Sequence, residues 1–92
     1  MGLREPPVAV QTERNTCDLR GMRVEDALAE VSRFLDEARR RGEIQAILVH
    51  GHGSGALRRA IRESLPDEPR ALSFRPGAQG EWSDGVTIVT FA

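Results

Sequence analysis

The chain has 92 residues, which suits a single domain built around one core. Its net charge of −1 argues against a generally basic protein that coats DNA. No apolar run approaches the roughly 20 residues that a membrane-spanning helix needs. Cys17 is the only cysteine, so an internal disulfide is excluded and we expect a reducing, cytoplasmic location.

The first half of the chain is predicted to hold a lead-in, a strand and a long helix. Residues 1–14 mix charge, proline and small side chains, which is typical of a flexible lead-in or linker, although residues 8–10 could add a short edge strand. The domain itself is predicted to occupy residues 15–92. A short strand is expected at residues 16–19, and apolar residues at helical spacing predict a helix over residues 22–41.

The second half continues the alternation of strands and helices. An uninterrupted apolar run predicts a buried central strand at residues 44–49, and a second helical stripe covers residues 57–65. Strands are expected at residues 71–75 and 86–91, joined by a polar, glycine-rich loop at residues 76–85. The order β-α-β-α-β-β predicts an α/β two-layer sandwich, with two helices on a small mixed four-stranded sheet.

A glycine-rich turn joins the central strand to the second helix. Its members are His50, Gly51, His52, Gly53, Ser54 and Gly55. Glycine lets the backbone turn tightly and approach a ligand, and Ser54 is expected to cap the helix that follows. Free amides and the positive end of the helix dipole would then point at the turn. We therefore predict an anion site at this turn, and the anion that such sites most often bind is phosphate.

The expected topology brings a second polar group to this turn. The first strand, first helix and second strand form a βαβ unit, whose two strands run parallel. The C-terminal ends of parallel strands lie on one edge of the sheet, where open α/β sheets bind ligands. Asp18 and Arg20 close the first strand and His50 closes the second. We therefore predict that these three residues face one crevice.

Two motifs, taken together, resemble those of the Smr (small MutS-related) domain: Asp18-Leu19-Arg20-Gly21 and His50-Gly51-x-Gly53-x-Gly55, each before a helix. The resemblance covers about residues 16–91. It implies a fold similar to the C-terminal domain of translation initiation factor three. It also implies a nicking endonuclease or nucleic-acid-binding module, commonly at the C-terminus of a bacterial MutS paralogue that suppresses homologous recombination. The chain departs from the usual pattern at Cys17, where leucine is common, and at His52, where lysine is frequent.

Three residues are the candidate catalytic groups. His50 would act as general acid or base on a phosphodiester because histidine titrates near neutrality, or it could be a structural histidine bonded to nearby backbone. Asp18 would orient His50 or help to hold a divalent metal, or it could simply pair with Arg20. Arg20 would form a forked contact to a non-bridging phosphate oxygen and stabilise transition-state charge.

Arginines on the second helix extend the candidate site. Arg58, Arg59 and Arg62 lie on one face, where they would follow a nucleic-acid backbone without reading its sequence, or would simply be solvated. Together with the glycine turn they form the predicted nucleic-acid-binding surface. Trp82, in the polar loop, is expected to anchor that loop to the core, with stacking on an exposed base as the alternative.

The sequence spacing defines no metal site. Mg²⁺ and Mn²⁺ are the candidate cofactors. Glu81 and Asp84 would contribute ligands if the polar loop folded over the turn.

The predicted function is sequence-independent nicking of duplex or branched DNA by phosphodiester hydrolysis. The alternative is a non-catalytic module that binds branched DNA or structured RNA, such as ribosomal RNA. A protein-interaction domain or a mononucleotide-binding domain is a third, less favoured class, and the turn lacks the Gly-Lys-Ser/Thr ending of an ATP-binding P-loop. No membrane contact is expected, and the remainder of a MutS-like parent chain is the expected protein partner.

Overall fold

The computed structural model describes residues 9–92 and confirms the predicted α/β architecture. The helices and strands are β1 (Thr16–Asp18), α1 (Val24–Arg40), β2 (Gln45–Val49), α2 (Ala56–Ser64), β3 (Ala71–Pro76) and β4 (Val86–Phe91). Short 3-10 turns lie at Leu65–Asp67 and Ser83–Gly85. Within the described part of the chain, neither α-helix is long and apolar enough to cross a membrane.

The four strands form one mixed sheet with the order β1-β2-β4-β3. β1 pairs in parallel with β2, and Asp18 is the register partner of Val49. β4 lies antiparallel to both of its neighbours, β2 and β3. The C-terminal ends of β1 and β2 therefore meet at the same edge of the sheet, next to the start of β4.

The main core lies between the helices and one face of the sheet. The apolar stripe of α1 packs there with the sheet residues Cys17, Leu48 and Val89, and α2 contributes Ile61. Alternate residues of a strand point to opposite faces, so Ile47 and its neighbours on β4 form a second cluster on the other face.

Residue Ala9 covers part of this second face. It is buried and clusters with Ile47, Val49, Val86 and Ile88. Neither Ala9 nor the residue after it belongs to a strand, so the edge strand considered for residues 8–10 is absent at these two positions. Residue 8 and the rest of the lead-in before it lie outside the described residues.

The buried carboxylate of Glu81 fixes the loop between β3 and β4. Only 4% of this residue is exposed. Arg75 donates to both carboxylate oxygens, at 2.7 and 3.1 Å. The amide of Ala78 donates to the same carboxylate at 2.8 Å, and the amide of Ala9 donates to it as well. Glu81 therefore holds its own loop and the N-terminal segment, and both of its carboxylate oxygens accept hydrogen bonds from protein donors.

Replacing Glu81 with Gln should lower the free energy of unfolding by about 1–3 kcal/mol, because Arg75 and two amides lose a charged acceptor. Arg75 lowers the pKa of Glu81 from 4.5 to about 2. The stabilisation is therefore complete above pH 4.5 and is lost as the pH falls towards 2. Urea unfolding of wild type and variant at neutral and acidic pH measures this difference. Glu63→Gln, at an exposed position of α2, is the control, and equal losses in both variants would contradict the assignment.

Candidate nucleic-acid interface

A groove of about 510 Å³ lies between the start of α1 and the glycine turn before α2. Residues 21–25 form one wall and residues 50–58 form the other. The groove therefore lies beside the edge of the sheet where β1 and β2 end. Of the three predicted catalytic residues, His50 lines it, whereas Asp18 and Arg20 are not among its lining residues.

Both helices present their N-termini to this groove. The N-cap residues are Arg23 for α1 and Gly55 for α2, and neither makes a side-chain capping hydrogen bond. The N-cap of α2 is therefore Gly55 and not Ser54, which the sequence predicts. The Ser54 hydroxyl instead accepts a long hydrogen bond of 3.3 Å from the Ala56 amide. The first amides of both helices lack acceptors within their helices and add to the positive dipole ends.

Glycine is required at two positions of the turn. Gly51 and Gly55 adopt φ angles of +77° and +85°, in the left-handed region that side chains disfavour. A Cβ atom on Gly51 would lie 3.3 Å from Cγ of Arg20, and one on Gly55 would lie 2.8 Å from Nη2 of Arg58. The turn therefore passes directly beside Arg20, which joins the two sequence motifs in space.

The imidazole of His50 is buried, with 6% of the residue exposed. Its Nδ1 lies 3.0 Å from the carbonyl oxygen of Gly51, which can only accept, so Nδ1 carries the proton. Its Nε2 then accepts the hydroxyl proton of Thr87 at 2.9 Å. The Thr87 oxygen in turn accepts from Nε of Arg62 at 2.8 Å. Sequence reasoning missed Thr87, whose one signal is a hydroxyl inside the apolar strand β4.

Burial lowers the pKa of His50. The hydrogen bond to the Gly51 carbonyl raises the pKa and the nearby Arg62 cation lowers it further, so the balance stays below the ordinary value. The imidazole is therefore neutral at pH 7, the form that can accept a proton.

Asp18 forms a forked ion pair with Arg20, which is one of the three roles considered for this residue. Nε and Nη2 of Arg20 donate to the two carboxylate oxygens at 2.9 and 2.8 Å. The Arg20 amide also donates to the carboxylate, and these bonds lower the pKa of Asp18. The groups that hydrogen bond to His50 are Thr87 and the Gly51 backbone, whereas Asp18 lies on the neighbouring strand end.

Trp82 is half exposed rather than buried as an anchor, so that expectation is wrong. Some 51% of the residue is exposed. The guanidinium carbon of Arg20 lies 5.4 Å from the centre of the indole, within the range of a cation–π contact. Trp82 therefore brings the loop between β3 and β4 into contact with the Asp18–Arg20 pair.

Asp84 ties the same loop to α2. Its carboxylate forms ion pairs with Arg58 at 2.9 Å and with Arg62 at 2.7 Å, and the hydrogen bond from Arg62 lowers the pKa of Asp84. Arg58 and Arg62 are therefore partly buried and paired, unlike the open charges that the sequence predicts, whereas Arg59 is exposed. In the described residues, no three histidine, cysteine or acidic side chains form a group that could hold a metal ion.

The fold and the groove define a small α/β domain whose two motifs meet at the ends of parallel strands. The chain belongs to the Smr domain family, which matches residues 17–92. This confirms the resemblance predicted from the two motifs. Among solved structures, it is similar to the Smr domain of Thermus thermophilus MutS2, with a TM-score of 0.83 and 46% identity over 85% of this chain and 98% of that one. Its fold also matches YdaL, a stand-alone small MutS-related protein from Escherichia coli, with a TM-score of 0.80 and 16% identity over 87% of this chain and 66% of that one.

Relatives named endonuclease MutS2 share almost half of their aligned residues with this chain. The Anaeromyxobacter protein is 47% identical over 73 residues, which is 79% of this chain. The Symbiobacterium thermophilum protein is 49% identical over 71 residues, which is 77% of this chain. The match covers only 9% of each of these relatives, so they are much longer proteins.

The buried His50 should make stability depend on pH. Because its pKa is lowered by folding, the unfolded chain binds more protons below about pH 7, and stability falls as the pH drops through the ordinary histidine value of 6.5. His50→Gln should abolish this slope between about pH 7.5 and 5.5, above the range where carboxylates titrate. Thermal unfolding across that range measures the effect. The exposed His52 supplies the control, because His52→Gln should keep the slope, and an unchanged slope in His50→Gln would contradict the prediction.

Proposed function

We propose that this domain binds the sugar–phosphate backbone of nucleic acid in the groove and nicks DNA there. The observation that carries the proposal is that two helix N-termini, neither capped by the side chain of its N-cap residue, line one groove, and that Gly51 in this groove passes beside Arg20. Free amides and aligned helix dipoles favour an anion such as a phosphate. The name endonuclease MutS2, borne by the relatives, supports hydrolysis in addition to binding.

Arg20 would make the direct contact to the phosphate. The Asp18 carboxylate occupies Nε and one hydrogen of Nη2, which leaves the Nη1 donors for a ligand. The Asp18 pair also fixes the direction of the guanidinium, so less side-chain freedom is lost on binding. Backbone amides and an arginine recognise phosphate rather than base edges, so binding should be independent of sequence.

In the proposed reaction, water attacks the phosphorus while the bond from phosphorus to one sugar oxygen breaks, which cuts one strand, and the departing oxygen takes a proton from solvent. Neutral His50 would accept the proton of the attacking water through Nε2, after this atom exchanges its hydrogen bond with Thr87. Arg20 would neutralise the charge that develops on the non-bridging oxygens.

A second candidate function is binding without catalysis, to branched DNA or structured RNA. It is favoured by one observation, namely that both ring nitrogens of His50 already have protein partners. In this case His50 would hold the turn in shape, and the groove would bind a backbone without cutting it.

Arg20→Gln should weaken DNA binding about tenfold on every sequence, because one charged phosphate contact is lost. The slope of log affinity against log salt concentration should fall by about 1. Fluorescence anisotropy with duplexes of unrelated sequence, over a series of salt concentrations, measures both values. Arg40→Gln, near the end of α1 that is remote from the groove, is the matched control. A loss that depends strongly on the duplex sequence would count against backbone binding.

His50→Gln should abolish nicking of supercoiled plasmid and leave duplex binding within about twofold, because proton transfer is lost while the phosphate contacts remain. Conversion of supercoiled to open-circular DNA is followed with and without Mg²⁺ or Mn²⁺. Thermal unfolding confirms that the variant is folded. Full nicking by His50→Gln would remove this residue from the mechanism. DNA binding by a wild-type protein that never nicks would favour the second candidate function.

A further inference from the structure

The loop between β3 and β4 holds an exposed indole in a strained conformation beside Arg20. Trp82 and Ser83 have φ angles of +68° and +47°, and they are the residues other than glycine in the described chain with positive φ. Such conformations cost energy and persist only where the surroundings impose them, which occurs often at ligand sites. Burial cannot explain the strain here, since half of Trp82 faces solvent.

Contacts on both sides of Trp82 impose this conformation. Before it in the chain, Glu81 is buried and bound to Arg75. After it, the Gly85 amide donates to the Trp82 carbonyl at 2.9 Å, and Asp84 is paired with two arginines of α2. The exposed indole is therefore presented by a fixed loop.

A cavity of about 330 Å³ lies next to the indole, between the loop and the N-terminal segment. Its apolar lining includes Val10, Ile47, Ile88 and Trp82, and its polar lining residues are Gln11 and Glu81. Val10 is 70% exposed, so the cavity has an apolar side open to solvent. A flat, largely apolar group with polar edges matches such a lining, and a nucleobase has that chemistry.

We propose that this cavity receives one unpaired nucleobase, stacked on Trp82, from the strand whose phosphate is bound by Arg20. The proposal rests on the proposed function and adds a substrate class, namely DNA with single-stranded or unpaired nucleotides. The Arg20 guanidinium lies 5.4 Å from the indole centre, so one residue bridges a phosphate site and a base site as neighbouring parts of a nucleotide require. A base inside a duplex is stacked on both faces and cannot enter the cavity without leaving the helix.

The chain contains a single tryptophan, so its fluorescence reports on this site alone. Titration with a short oligothymidine should quench the emission and saturate, whereas a blunt duplex of equal length should change it little. Anisotropy with labelled oligonucleotides then compares variants that lack the indole. Trp82→Asn, chosen because asparagine tolerates left-handed backbone, should weaken single-strand binding about tenfold and duplex binding much less, by no more than the lost contact with Arg20.

Two further variants complete the experiment. Trp82→Phe should restore most of the single-strand affinity because it retains an aromatic face. Leu72→Ala, which removes another exposed apolar side chain in β3, should change neither affinity. Thermal unfolding establishes that each variant is folded.

The outcomes separate this proposal from the proposed function. Equal weakening of both substrates by Trp82→Asn, or no weakening of either, would overturn the base site. If Arg20→Gln still weakens duplex binding in that case, backbone binding stands without the base site. A wild-type protein that binds neither oligothymidine nor duplex at low salt would overturn both.

Discussion

The parallel pairing of β1 with β2 is the constraint on which the candidate site depends. It places Asp18 beside Val49, one residue before His50, although the two motifs are some thirty positions apart in sequence. α1 must return the chain over one face of the sheet to make this pairing, so its N-terminus lies next to the end of β1. The same geometry brings the start of α2 to the opposite wall of the groove.

At this edge of the sheet, three of the arginines form ion pairs with aspartates and do not add up to a patch of unpaired positive charge. Asp18 engages Arg20, and Asp84 engages Arg58 and Arg62. Arg62 also donates a hydrogen bond to the Thr87 hydroxyl, which donates to the imidazole of His50. One hydrogen-bond network therefore connects α2, β4 and the glycine turn. A net charge of −1 is compatible with anion binding in this arrangement because oriented amides and one directed guanidinium act locally.

The order of elements was predictable because helices and strands impose periodic patterns on the apolar residues. The meeting of Arg20 with the glycine turn followed from topology. The partners of Asp84 and Thr87 were not predictable, since they depend on the path of a loop that carries no periodic pattern. Trp82 shows the same limit, because its residue type alone fits either a buried anchor or an exposed platform. The prediction of Ser54 as the N-cap was wrong for a different reason, namely that Gly55, in a left-handed conformation, is the residue at the N-cap position.

The hydrogen bond from the Ala9 amide to Glu81 has a mechanical consequence. The backbone at Ala9 therefore lies beside the loop that carries the indole. A displacement of this backbone would move the acceptor that it shares with Arg75 and the Ala78 amide. The hydrogen bond thus couples the position of the first described residue to the segment that presents Trp82.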